Sequence, residues 1–143
     1  MYRFLHKLDV PLVQRAIANA EMRTSAELRV SVAPFFWGRV RRAAERAFAR
    51  LGMDRTRYRN GVLFFIVPSR HAFVVLGDRG IHECVGDELW TDVVRVMSPY
   101  FKRREFTSGV LAGVESVARA LAVHFPREED DRNELPNTVD EGA

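Results

Sequence analysis

Cysteine is almost absent from this sequence: Cys84 is the one copy in 143 residues. No internal disulfide can form, and a Cys-rich zinc site is excluded. Long apolar runs are missing as well. No stretch approaches the roughly 18 to 20 residues that cross a bilayer as a helix, so no membrane span is expected. The opening segment MYRFLHKLDVPL has neither a long apolar centre nor a small-residue cleavage site. It reads as the start of a chain without a signal peptide, and the expected location is cytoplasmic. Catalytic signatures are lacking too. There is no GxxxxGK[ST] phosphate loop, no GxSxG nucleophile elbow and no HExxH zinc helix.

What is present is an ordinary globular composition, 47% hydrophobic and 29% charged. The length fits one domain with a core of normal size. Net charge is +3 but unevenly spread. Residues 127–143 hold two Arg against seven Asp or Glu, whereas residues 1–126 hold 20 basic against 12 acidic residues. The expected organisation is a basic domain over 1–126 and an acidic tail over 127–143. Past Pro126 the polar composition predicts irregular chain. Glu128 to Pro136 is expected to lie on a basic surface of the domain, with Leu135 and Pro136 as an apolar anchor.

Hydrophobic spacing places the elements. Asp9 followed by Pro11 is a helix start, and Val13, Ala16, Ile17 and Ala20 continue it to about residue 24. ELRVSVAP alternates, with Leu28, Val30 and Val32 on one face and Arg29 and Ser31 on the other, which predicts a half-covered strand over 27–33. Val40, Ala44, Ala47 and Leu51 make an apolar helical stripe over 38–51, closed by Gly52. GVLFFIVP (61–68) and AFVVLG (72–77) are apolar on both faces and predict buried strands over about 61–67 and 71–77, joined by a tight turn at PSRH. A helix follows from about Asp87 to Ser98, interrupted or kinked by Pro99. The last helix, 106–124, carries Gly109 and Gly113 four residues apart for a close approach. The first two strands should be parallel with a right-handed crossover, and the second and third antiparallel. The fold class is α/β: a three-layer α/β/α sandwich with a small mixed sheet.

Four segments, taken in order, resemble the TPM-domain family in its short, soluble bacterial form. They are MRTSAELRVSV (22–32), RNGVLFFIVP (59–68), AFVVLGDRGIHECVGDELW (72–90) and SPYFKRREFTSGVLAGV (98–114). HFPREEDDRNELPN (124–137) resembles a tail found in short members. The resemblance implies an α/β/α sandwich. It also implies a choice of roles, since members are described as acid phosphatases, as calcium binders and as an auxiliary receptor subunit, many of them exported or membrane-anchored. The loop after the third strand departs from the family pattern G-Y-G-L-E-G-x-L-T-D. His82 stands where the family tends to have Glu and Glu83 where it has Gly, while Asp87 matches the family Asp.

That loop, GDRGIHECVGDELW (77–90), is the densest cluster of functional side chains. Strand polarity brings Glu27, Asn60, Asp78, Arg79, His82, Glu83 and Asp87 to one sheet edge. Each has a structural reading as well. Asp87 and Glu88 suit a helix N-cap and first turn. Glu27 suits a pairing with Arg23, Arg29 or Arg79, and His82 a hydrogen-bonded loop histidine. Cys84 reads as a small buried apolar residue. No cofactor is expected. A divalent cation, calcium or magnesium, is the one candidate, through Asp78, Glu83 and Asp87.

A second feature is the arginine stripe Arg39, Arg42, Arg46 and Arg50, preceded by Phe35, Phe36 and Trp37. Such a face can hold anions, or it can be a solvated helix surface. No nucleic-acid motif accompanies it, so nucleic acid is not favoured as a partner. The functional reading is a non-catalytic binding or protein-interaction module with a protein partner. The alternatives are a metal-dependent acid phosphatase and an anion- or nucleic-acid-binding surface on helix 38–51.

Overall fold

The computed structural model describes residues 8–127 and 139–142. Its helices are α1 Val10–Glu21, α2 Val40–Arg50, α3 Arg79–Val85, α4 Glu88–Lys102 and α5 Phe106–His124. Its strands are β1 Glu27–Val32, β2 Gly61–Val67 and β3 Ala72–Gly77. The sheet order is β1-β2-β3. β1 runs parallel to β2 with Glu27 opposite Gly61, and β2 runs antiparallel to β3 with Val67 opposite Ala72. The three-layer sandwich and mixed sheet are as the apolar strands required.

Alternation splits the sheet between two cores. Leu28, Val30, Val62, Phe64 and Ile66 face α1, α4 and α5, where Ile17, Met97 and Val117 meet them. Leu63, Phe65 and Val67 face the other way, onto Ala44 and Ala47 of α2 and onto Met53. Each such side chain, fully buried, contributes about 1.5–3 kcal/mol. Asp9 caps α1 through a 3.1 Å bond from the Leu12 amide to its carboxylate. Gly109 and Gly113 permit the close packing of α5. A Cβ at Gly109 would lie 2.7 Å from the Phe101 ring, and one at Gly113 would lie 2.5 Å from Met97 Sδ.

Several expectations need correction. β3 is half-buried along its whole length and not buried, because it is an outer strand of the sheet. β1 is buried along its whole length, Arg29 and Ser31 included, and is not half-covered. Its second face is closed partly by the chain's own end, since Ser31 bonds the Asp140 carboxylate. α4 continues through Pro99 to Lys102. Proline removes one donor and leaves the carbonyl four residues back without its helical partner. Pro99 and Arg95 are both exposed, so water can serve that carbonyl. The 77–88 stretch is not a loop, because α3 occupies most of it. Finally, α5 is long and apolar enough, by length and composition, to cross a bilayer. In this fold it is a core helix, with Val110, Val114, Val117 and Leu121 buried. α1 also stops at Glu21 rather than 24, an ordinary boundary difference.

Candidate functional site

α3 explains the polar stretch after β3. Asp78 is its N-cap, accepting the Arg79 amide at 2.8 Å. The same carboxylate holds Arg59 bidentately, with Nε at 2.6 Å and Nη2 at 3.0 Å. Arg59 sits at φ 51°, in the left-handed region. Its carbonyl accepts the Gly80 amide at 2.9 Å, and a Cβ on Gly80 would lie 2.6 Å from that carbonyl oxygen. Glycine at position 80 therefore lets the 58–59 turn lie directly on α3. Asp78 is thus a structural clamp between two chain segments.

The other loop candidates are placed differently. His82, Glu83, Cys84 and Asp87 are exposed, as is Arg79. His82 Nδ1 accepts a 3.3 Å hydrogen bond from Trp90 Nε1. Asp87 stands at the N-cap of α4 but makes no side-chain capping bond. Cys84 is exposed, contrary to the reading of it as buried, because α3 turns Ile81 inward and leaves position 84 outside. Among the described residues, no group of three His, Cys, Asp or Glu is placed to hold a metal ion. The Asp78, Glu83 and Asp87 set does not fit the calcium chemistry that the resemblance implied.

Glu27 and Asn60 do lie at the same end of the sheet as Asp78. The Glu27 amide donates to Asn60 O at 3.2 Å, and the Asp78 amide donates to Gly61 O at 2.9 Å. Their side chains belong to a different cluster, however. Asn60 Nδ2 donates to Ser25 O at 3.2 Å. Glu27 stands beside Glu21, a residue the sequence reading missed. Glu21 is only 7% exposed, and its Oε2 accepts the Leu28 amide at 3.1 Å. Burial first, then the neighbouring Glu27 charge, pushes the Glu21 carboxyl up to about 8. Glu21 Oε1 and Asn60 Oδ1 are buried with no hydrogen-bond partner among the described residues. A proton on Glu21 turns its second oxygen into a donor toward Glu27, which meets the need of a buried carboxyl pair. One signal was available: Glu21 follows Ile17 by four, on the buried stripe of α1. Arg23, considered as a partner for Glu27, instead pairs with Glu115 at 2.8 Å.

The arginine stripe is real and faces outward. Arg39, Arg42, Arg46 and Arg50 are all exposed. Arg50 pairs with Asp140 at 3.0 Å. Trp37 is 87% exposed and Phe35 57%, and the two rings pack edge-on with centroids 4.9 Å apart. Phe36 turns inward toward Phe65. Arg70 lies over the Phe36 ring and donates to Gly38 O at 2.6 Å, which fixes the turn that presents the two exposed rings. The expected docking of Glu128 to Pro136 lies outside the described residues.

Comparison with known proteins agrees with this architecture. No curated protein matches the chain. Among solved structures, the NMR structure of the BA42 protein from the psychrophilic bacterium Bizionia argentinensis is similar at a TM-score of 0.87 and 36% identity. The match covers 93% of this chain and 92% of that one. The family model described as TPM domain matches residues 4–120, most of the chain. This chain belongs to the TPM domain family.

Proposed function

We propose that this TPM domain is a non-catalytic binding module. Its interaction face is the surface formed by Phe35, Trp37 and the outer side of α2, and its partner is an acidic protein segment. The observation that carries the reading is Trp37. A tryptophan 87% exposed, edge-packed on an exposed Phe35, heads a helix whose outer side is arginine. Large aromatics beside arginine supply contact area and bidentate carboxylate binding together, which is the composition of interface anchors. The metal-dependent phosphatase reading has less support. Both oxygens of Asp78 already accept hydrogen bonds, from Arg59 and from the Arg79 amide, and the residue is buried in that clamp.

The test is a titration of the full-length protein with poly-glutamate, followed by tryptophan fluorescence. Trp37 emission should change saturably and weaken with added salt. Replacing Arg42 and Arg46 with Ala should remove the response. An unchanged response in that double variant would refute the assignment.

A further inference from the structure

β1 is an edge strand of the sheet. Its Glu27 amide donates toward β2, to Asn60 O, and the Ala33 amide donates to Ile66 O. Backbone groups alternate along a strand, so residues 28, 30 and 32 direct theirs outward, away from β2. An open edge of this kind is a template for a further strand. Two devices close it here. At its start, the Leu28 amide is taken by Glu21 Oε2. At its end, the chain's own C-terminal residues lie alongside.

Asp140 supplies both backbone bonds of that second closure. Its amide donates to Val30 O at 2.9 Å, and its carbonyl accepts the Val32 amide at 2.7 Å. It forms a single parallel bridge opposite Ser31. The flanking side chains are read on both faces of the sheet. Val139 enters the main core and is 8% exposed. The Asp140 carboxylate accepts from Ser31 Oγ at 2.7 Å and from Arg50 Nη2 at 3.0 Å. A cleft of about 190 Å³ adjoins Gly142 and is lined by Arg46, Arg50 and Phe65. This is a peptide site in miniature: main-chain pairing, an apolar socket, a carboxylate clamp and a basic extension.

The number of residues between the two bridges exceeds what their separation requires. Pro126 bridges Thr24 near the start of β1, and Asp140 bridges Ser31 near its end. Seven residues of strand span ~23 Å at ~3.3 Å per residue. The 14 residues from Pro126 to Asp140 can reach ~46 Å at the same rise. The link is about twice as long as the gap, so the last residues can leave the edge while α5 stays packed.

We propose that the outer edge of β1 is a peptide-binding edge, and that Val139–Gly142 hold it closed in cis. The ligand class is an extended segment of a partner protein carrying an apolar residue followed by a carboxylate. It binds by strand addition. The tethered segment competes with it at an effective concentration set by the link. This site shares Arg46 and Arg50 with the arginine side of α2, but its test reads the Val32 amide and does not depend on Trp37.

The experiment uses full-length protein labelled with 15N and a synthetic peptide of residues 134–142, ELPNTVDEG. Asp140→Ala should release the segment and shift the Val32 amide, whose hydrogen bond is lost. Added peptide should bind this variant at least tenfold more tightly than it binds the wild type. It should also return the Val32 amide toward its wild-type position. A peptide with Ser and Ala at the Val139 and Asp140 positions should do neither. Should Asp140→Ala fail to fold, Val139→Ser removes the apolar anchor of the same segment, leaves the receiving edge and Arg50 intact, and should give the same pattern. A Val32 amide unmoved by either variant, or one that peptide does not restore, would overturn the proposal. So would a dimer of the released variant that peptide leaves intact, which would place a second copy on the edge.

Discussion

Arg59 holds both oxygens of Asp78, and the same carboxylate caps α3. One side chain thus joins the turn before β2 to the helix after β3. This clamp explains why Asp78, at the head of the polar stretch, is 7% exposed. Asp78→Ala removes the cap and leaves Arg59, at φ 51°, without its anchor. Loss of the cap alone is worth about 1 kcal/mol. Asp78→Asn keeps an acceptor for the Arg79 amide and should be the milder change. Thermal unfolding of both variants should rank them in that order; equal midpoints to wild type would deny the clamp.

Glu21 gives the fold a pH dependence of unusual sign. Its carboxyl is raised from 4.5 to about 8 in the folded protein, chiefly by burial. Between these values the folded state holds a proton that the unfolded state has released. Stability therefore falls as pH rises through that window, by up to about 1.4 kcal/mol per pH unit. Glu21→Gln keeps an oxygen for the Leu28 amide and carries no charge. Denaturant unfolding between pH 5 and pH 8 should show a decline in wild type and a flatter profile in the variant. Identical profiles would count against the buried protonated pair.

Asp140 has the opposite sign. Burial works against its charge, but hydrogen bonds from Arg50 and Ser31 outweigh that and hold its carboxyl below the ordinary value of 3.8. Its contribution is present above the unfolded value and is lost as pH falls through the folded one. The C-terminal segment should loosen in acid. Hydrogen exchange at the Val32 amide, corrected for intrinsic rates, should lose protection below about pH 4. Protection that persists at pH 2 would contradict the assignment.

Close packing of α5 on α4 makes a steric prediction. Gly109→Ala puts a methyl 2.7 Å from the Phe101 ring, which is itself packed between Phe73 and Phe106. Gly113→Ala meets chiefly the thioether end of Met97, which is more adaptable. Overpacking of this kind costs about 1–3 kcal/mol. Gly109→Ala should be the more destabilising of the two by equilibrium unfolding. An increase in stability, as helix propensity alone would give, would show that the interface yields easily.

Local chemistry made much of the fold legible. Asp9 and Pro11 announce α1, the doubly apolar GVLFFIV and AFVVLG announce the β2–β3 hairpin, of which only β2 is buried, and Gly109 and Gly113 announce a tight helix contact. Each signal sits within a few residues. α3 was missed because seven residues with a glycine at the second position show no helical period, and its cap depends on the turn holding Arg59. Arg29 and Ser31 suggested an exposed face because the residue that covers Ser31 lies 109 positions away. Polarity brought Glu27, Asn60 and Asp78 to one sheet end, but side-chain direction then divided them. Asp78 turns to Arg59, Asn60 to Ser25, and Glu27 to Glu21.

The most direct measurement is residue-resolved. A 15N-labelled sample of the full-length protein is titrated first with calcium and then with poly-glutamate. The proposed binding role predicts saturable shifts from poly-glutamate at the Trp37 indole and at backbone amides of residues 39–50. It predicts none of comparable size at residues 78–88 with calcium. Shifts confined to 78–88, with the Trp37 face unmoved by poly-glutamate, would contradict it.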